Sequence, residues 1–223
     1  MLPLEDLLSL AKARGLTVTD YLMAVYLHAL YTADPCAQNS RKPLKISIPI
    51  SLRKFYPSES LRNFSLYANL GLAPRGGERP TFDAIVEAMR GKLAAAATRE
   101  EMHKLLCQNV ALMENPFMRA LPNALKRPLM RLGYVLIGEK THTATLSNMG
   151  RFVLPPCLAR HVEAVEVLLG ESPHKRLSLA AVSDERLLHL YFSGNTPKTD
   201  VQRAFLRHLA AEGLRIRAES NIR

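Results

Sequence analysis

Two short stretches carry polar side chains that could hydrogen-bond to a ligand, and each lies at the end of a strand-like run. The first closes with Ser147, Asn148 and Gly150, after a threonine-rich alternation that predicts a strand over Thr141–Gly150. A hydroxyl and an amide at a strand end can face a cleft. Asn and Gly also tolerate positive φ and are typical of a turn, so both interpretations stay open on local chemistry.

The second stretch is I-S-I-P-I-S-L-R, residues 46–53, in which one face is entirely aliphatic. It is the clearest strand pattern in the sequence, and Pro49 within it predicts an edge position or a bulge. Arg53 closes the run. It is either a solvated strand end or a buried guanidinium that forms a bidentate pair with a carboxylate.

The familiar catalytic and metal-binding motifs are absent from the sequence. It contains no H-E-x-x-H, G-x-S-x-G or P-loop. His161 and Glu163 form the nearest constellation, two residues apart on a predicted strand, and a surface pair is favoured over a metal site. No side chain is an evident general base, and we expect no metal.

Cysteine usage and hydropathy suggest the compartment. Cys36, Cys107 and Cys157 lie far apart and form no C-x-x-C, which argues against zinc and redox motifs and suits a reducing cytoplasm. No apolar run approaches about 18 residues, so stable membrane insertion is not expected. We expect a cytoplasmic protein.

The formal net charge of +10 favours an anionic partner. The basic residues are dispersed, with the densest clusters at residues 119–131 and 203–217. Because the chain has few aromatic residues and no tryptophan, nucleic acid ranks below phosphate-bearing cofactors and acidic protein surfaces.

These side chains must be positioned by a mixture of helices and strands. The 223 residues fit a single domain. Periodicity and caps predict a helix ending near Gly15, a helix capped by Thr17 or Thr19, and a helix capped by Thr81 that the alanines at 94–97 extend. Further helices are predicted over 99–114 and 198–212, strands over 63–72 and 162–169, and a hairpin over 177–193. Without a βαβ alternation, the expected class is α+β, a mixed sheet with helices packed on it.

Residues 116–138 form the most amphipathic part of the chain. Apolar residues alternate there with Arg119, Lys126, Arg127 and Arg131, and prolines 122 and 128 are predicted to break any continuous helix. A basic amphipathic segment can lie on a membrane or cover a sheet, and the prolines favour the second.

Several of these stretches, in this order, resemble the condensation-domain and alcohol-acetyltransferase superfamily, which has the chloramphenicol-acetyltransferase-like fold. L-L-S-L-A-K-A-R-G-L-T-V-T-D-Y-L-M-A, residues 7–24, resembles its helix–Gly–Thr–helix segment. Residues 46–53 are similar to its P-V-x-L-R strand, Asn63-Phe64 to the strand after it, and residues 143–150 to its S-N-L-G strand end. V-L-P-P, residues 153–156, and the late hairpin follow in the family's order.

The resemblance implies half of an active site. Family members have two lobes with a tunnel between them, and the signature H-H-x-x-x-D-G of the first lobe is absent here. The resemblance therefore implies that residues 1–223 are the second lobe alone, with the catalytic base in a missing N-terminal lobe or a partner chain. It assigns Arg53 to the arginine that pairs with the signature aspartate. It places Ser147 and Asn148 on the tunnel wall, where a hydroxyl could stabilise an oxyanion.

It also implies the substrates. The acyl donor would be a coenzyme A thioester or a carrier-protein phosphopantetheine thioester, and the acceptor a small molecule with a hydroxyl or an amine. The alternative, from another class, is a non-catalytic basic module that docks an acidic protein or nucleic acid. It predicts salt-sensitive binding through the four cations of residues 119–131 that Arg53→Ala leaves unchanged.

Overall fold

Six strands form one mixed sheet in the computed structural model, which describes residues 1–34, 43–73, 79–133, 142–170 and 177–221. The spatial order is β1-β6-β5-β4-β2-β3, in which β2, β4 and β5 are parallel neighbours and the other pairs are antiparallel. The strands are β1 Leu2–Pro3, β2 Leu44–Ser51, β3 Ser65–Leu72, β4 Ala144–Arg151, β5 Ser178–Ser183 and β6 Leu187–Ser193. The predicted α+β class is confirmed.

The helices pack mainly on one face of this sheet. They are α1 Leu4–Ala13, α2 Val18–Ala33, α3 Phe82–Met89, α4 Lys92–Ala96, α5 Arg99–Glu114, α6 Pro116–Ala120, α7 Asn123–Gly133, α8 Pro156–Ala159 and α9 Asp200–Ala211. α2 is almost wholly buried and contacts α1, α3, α9 and β2. The core forms where α1, α2, α3 and α9 meet the aliphatic face of the strands, which includes Ile46, Leu146 and Leu179.

The sequence correctly predicted where α1 ends and where α2 begins. α1 ends just before Gly15, whose φ of 67° is left-handed. Thr17 caps α2 through a reciprocal capping box with Asp20, which explains why Thr17 rather than Thr19 begins the helix. Leu2 and Pro3, which precede α1, pair with β6 as the short strand β1.

Two helix predictions were wrong. The alanine run does not extend α3, because Gly91 adopts φ 70° and separates α3 from α4. Pro128 does not end the helix that contains it, since α7 continues through it to Gly133. Because α7 is exposed, water can hydrogen-bond to the carbonyl of Ala124 that Pro128 leaves without a donor.

Two sheet predictions also need correction. Residues 162–169 form no strand; they lie over β6, where Tyr191 and Ser193 donate hydrogen bonds to the carbonyls of Val165 (3.3 Å) and Leu169 (2.9 Å). β2 is an internal strand of the sheet, but Pro49 lies beyond its last pairing with β4, so at this residue β2 is locally an edge, as predicted. Residues 116–133 do not cover the sheet, because the described side chains of α7 are exposed or half-buried.

Candidate functional site: a groove between β2 and β4

A groove opens where two parallel strands separate. β2 and β4 pair only at Ile46 with Ala144 and at Ser47 with Thr145, although both strands continue beyond these residues. Pro49, which has no N–H to donate, lies in the part of β2 that pairs with β3 alone. The described residues that follow on both strands line a groove of about 1070 Å³.

A row of polar side chains crosses the floor of this groove. Asn69 of β3 is in register with Ser47 of β2, Ser47 with Thr145 of β4, and Thr145 with Ser178 of β5. Residues that lie opposite one another in a sheet share a face. All four line the groove, on the face opposite the aliphatic core. This row therefore gives the groove hydroxyls and an amide beside apolar lining residues such as Pro49 and Phe64.

Ser147 lies on this face one pleat beyond Thr145. It is buried, and its hydroxyl donates to the Met149 sulfur at 3.8 Å. A thioether is a weak acceptor. A better acceptor placed in the groove, such as a carbonyl oxygen or an oxyanion, would therefore compete well for this hydrogen.

Asn148 points the other way, towards the start of α2. Its Nδ2 donates to the Thr19 hydroxyl at 2.9 Å, and its Oδ1 accepts from the Gly150 N–H at 3.0 Å. Gly150 has φ 72°, and the register with β5 shifts between Asn148 and Arg151. The segment is thus neither a plain strand nor a turn: β4 continues to Arg151 through an irregularity that shapes the groove wall. Thr141 of the predicted strand lies outside the described residues.

Arg53 lies in a 3-10 turn, Leu52–Lys54, at the mouth of the groove. It is exposed, and its Nη2 donates to the carbonyls of Ser60 and Arg62, the latter at 2.9 Å. Its guanidinium carbon lies 6.0 Å from the Phe64 ring centroid. No carboxylate in the described ranges forms an ion pair with it, so among the described residues Arg53 is a solvated strand end that anchors a loop.

The groove has an electropositive rim. Arg53 and Lys54 both line it, and among the described lining residues there is no carboxylate. Uncompensated cations at the mouth of a cleft attract anionic ligands. Arg53, Ser147 and Asn148, the three residues singled out in the sequence, all lie in this one lining; their chemical roles stay predictions.

Sequence reasoning overlooked Thr19 and the polar row. The row did leave a signal, since Ser47 and Ser51 alternate with the isoleucines of β2. Which residues of the other strands lie beside these serines depends on the register between strands, and the sequence alone does not predict that register. The His161–Glu163 pair is not on a strand. Within the part of the chain that the structure describes, no three His, Cys, Asp or Glu side chains come together as metal ligands.

Comparisons with known proteins give matches among solved structures. The nonribosomal peptide synthetase FmoA3 in its AMPPNP-bound form matches with a TM-score of 0.51 and 18% identity, over 95% of this chain and 21% of that one. The same synthetase bound to α-methyl-L-serine-AMP gives a TM-score of 0.50 and 18% identity, over 95% and 22%. This chain has the fold of part of a synthetase.

Other matches are weaker. The first condensation domain of the CDA synthetase gives a TM-score of 0.49 and 20% identity, over 92% of this chain and 41% of that one. No protein-family model matches the sequence, and no curated protein does. At these identities the likeness shows the fold alone, and the chain spans only about a fifth of the matched FmoA3 chains. None of the helices in the described ranges is long and apolar enough to cross a membrane.

Proposed function

We propose that this chain is the second lobe of a two-lobed acyltransferase. Such an enzyme moves an acyl group from a thioester to a hydroxyl or amine. The observation that carries the proposal is the convergence of Arg53, Ser147 and Asn148 on one groove, at the point where β2 and β4 separate. The fold shared with part of a much longer synthetase chain supports it.

The chemistry needs a base from outside this sequence. An acceptor oxygen or nitrogen attacks the thioester carbon while the base takes its proton. The carbonyl oxygen becomes an oxyanion, the C–S bond then breaks, and the thiol leaves with the proton that the base returns. In this scheme the histidine of an H-H-x-x-x-D-G lobe is the base.

Ser147 would stabilise the oxyanion. Its hydroxyl hydrogen now points to the Met149 sulfur, and transfer to a charged oxygen replaces a weak hydrogen bond by a strong one. Asn148 would hold the groove wall in position rather than bind the oxyanion. Its amide nitrogen already donates to the Thr19 hydroxyl, and its amide oxygen already accepts from the Gly150 N–H.

Arg53 would join the two lobes. One of its terminal nitrogens holds the loop at Ser60 and Arg62, which fixes the guanidinium at the groove mouth. A guanidinium has further N–H groups that can bind a carboxylate in a fixed geometry. The signature aspartate of the other lobe is the partner we assign to it.

The donor would be coenzyme A or carrier-protein phosphopantetheine, since both combine a thioester with phosphate. The rim with Arg53 and Lys54 and no described carboxylate suits such a phosphorylated arm. The polar floor offers hydrogen-bond partners to its amides.

Site variants in the two-lobed enzyme test the proposal. We expect Ser147→Ala to lower kcat about 100-fold with little change in KM for the donor, as for the loss of one oxyanion donor. Ser183→Ala is the matched control, because Ser183 is also a buried serine in the sheet but lies outside the groove lining. Equal kcat values for the two variants would remove Ser147 from the mechanism.

A further inference from the structure

Helix α7 presents an apolar stripe that the described part of the chain does not cover. Leu125, Leu129 and Leu132 retain 58%, 43% and 55% exposure. At about 100° per residue, these three leucines and Pro128 fall on one side of the helix. Exposed leucines are common singly, but an aligned set on one helix indicates a surface that binds something apolar.

The charges around this stripe indicate its partner. Lys126, Arg127 and Arg131 lie on the remaining side of α7, on both borders of the leucines, and Arg119 precedes the helix. From residue 115 to residue 138 the sequence contains four basic residues and no acidic one. An apolar stripe bordered by cations is complementary to a layer of acyl chains covered by anionic headgroups.

We propose that α7 docks this protein on an anionic lipid surface, with the leucines between the headgroups and the cations among the phosphates. The 11 residues of α7 extend about 16 Å, which is too short to cross a bilayer core of about 30 Å. The helix therefore lies in the plane of the interface and binding is reversible. None of the described residues that line the groove belongs to α7, so docking leaves the groove open.

Co-sedimentation of the purified chain with phosphatidylcholine vesicles, with and without phosphatidylglycerol, tests this. We expect binding to the anionic vesicles only, weakening as salt is added. Leu125→Asp/Leu129→Asp should weaken binding at least about tenfold, since each leucine contributes the burial of its side chain. Lys126→Gln and Arg127→Gln should each weaken it about fivefold.

Control variants test whether vesicle binding depends on the leucines of α7 in particular. Leu168→Asp changes a leucine that is 69% exposed outside α7 and should leave binding unchanged. Arg53→Ala should also leave it unchanged, so failure here does not touch the acyltransferase proposal. Because the substituted side chains are exposed, or half-buried in the case of Lys126, circular dichroism should show all variants folded.

Three results would overturn the proposal. The first is no binding of the unchanged chain to anionic vesicles. The second is binding that survives Leu125→Asp/Leu129→Asp but falls with salt, which would mean that charge alone holds the chain to the vesicles and that the leucines do not enter the lipid layer. The third is a concentration-dependent dimer that the double variant abolishes, which would assign the stripe to a second copy of the chain.

Discussion

At the scale of single residues, Asn148 connects the groove wall to the helical layer. It bonds to Thr19 in the first turn of α2 and to the Gly150 N–H in β4. Asn148→Ala removes both hydrogen bonds, so we expect the free energy of unfolding to fall by about 1–3 kcal/mol in urea titrations. Asn69→Ala, at an exposed groove residue, is the control and should change it by less than about 0.5 kcal/mol. Equal losses would mean that the two hydrogen bonds of Asn148 add nothing to the stability.

A second residue-scale prediction concerns two histidines beneath the sheet. The rings of His28 and His208 lie 5.2 Å apart, and Phe82 lies against both. Burial lowers the pKa of each below the ordinary value of 6.5. For His208, His28 and Arg14 lower the pKa further, while Glu212 and Asp83 oppose them. Both rings therefore take up a proton at a lower pH in the folded protein than in the unfolded chain.

The sign of the pH dependence follows. Below about pH 6.5 the unfolded chain binds protons that the folded chain does not, so stability falls as pH decreases through that value. Denaturant unfolding measured on both sides of pH 6.5 should show this loss. The variant His28→Gln/His208→Gln should show a smaller slope, and an unchanged slope would exclude the two histidines as its cause.

The sequence alone predicted three of the residues that line the groove. Ser147, Asn148 and Arg53 stand at the ends of patterned strands, and strand ends in a sheet are where grooves form. Ser47, Thr145 and Ser178 could not be grouped in the same way. They are far apart in sequence, and only the register of β2, β4 and β5 aligns them.

At the scale of elements, the signals that worked were local ones. The predicted caps Thr17 and Thr81 each accept a hydrogen bond from the backbone N–H three residues later, and Thr98 does the same at the start of α5. Such a cap depends on only four consecutive residues, so the sequence can predict it. Predictions failed where distant contacts decide. β1 exists only because β6 is beside it, and residues 162–169 are held by donors from β6.

Gly71 provides an element-scale test of the β2–β3 pairing. A Cβ at Gly71 would lie 1.9 Å from the carbonyl oxygen of Leu44, so alanine must push the two strands apart. We expect Gly71→Ala to lower stability by about 1–3 kcal/mol, which thermal unfolding would detect as a lower Tm. Gly133→Ala, where an added Cβ meets nothing within 4 Å, is the matched control. A Tm unchanged in both variants would contradict the close pairing.

At the scale of the whole molecule, the hydrophobic core, the groove and the exposed leucines of α7 lie in different parts of the structure. Helices α1, α2, α3 and α9 bury the aliphatic face of the sheet. The separated ends of β2 and β4 form the groove, and α7 carries the exposed leucines. Periodicity predicted helices α1, α2, α3, α5 and α9 and most strands. It did not predict the strand order that places the groove between β2 and β4, because order is fixed by packing across the whole chain.

The central claim is that this groove is half of an acyl-transfer site. The most direct measurement is the release of free thiol from an acetyl-CoA donor in the presence of an acceptor alcohol or amine. It is made with the chain alone, with an H-H-x-x-x-D-G lobe alone, and with both. We predict transfer only with both, and its loss when Arg53→Ala breaks the contact between the lobes. Transfer by the chain alone, or equal transfer with and without it, would contradict the account.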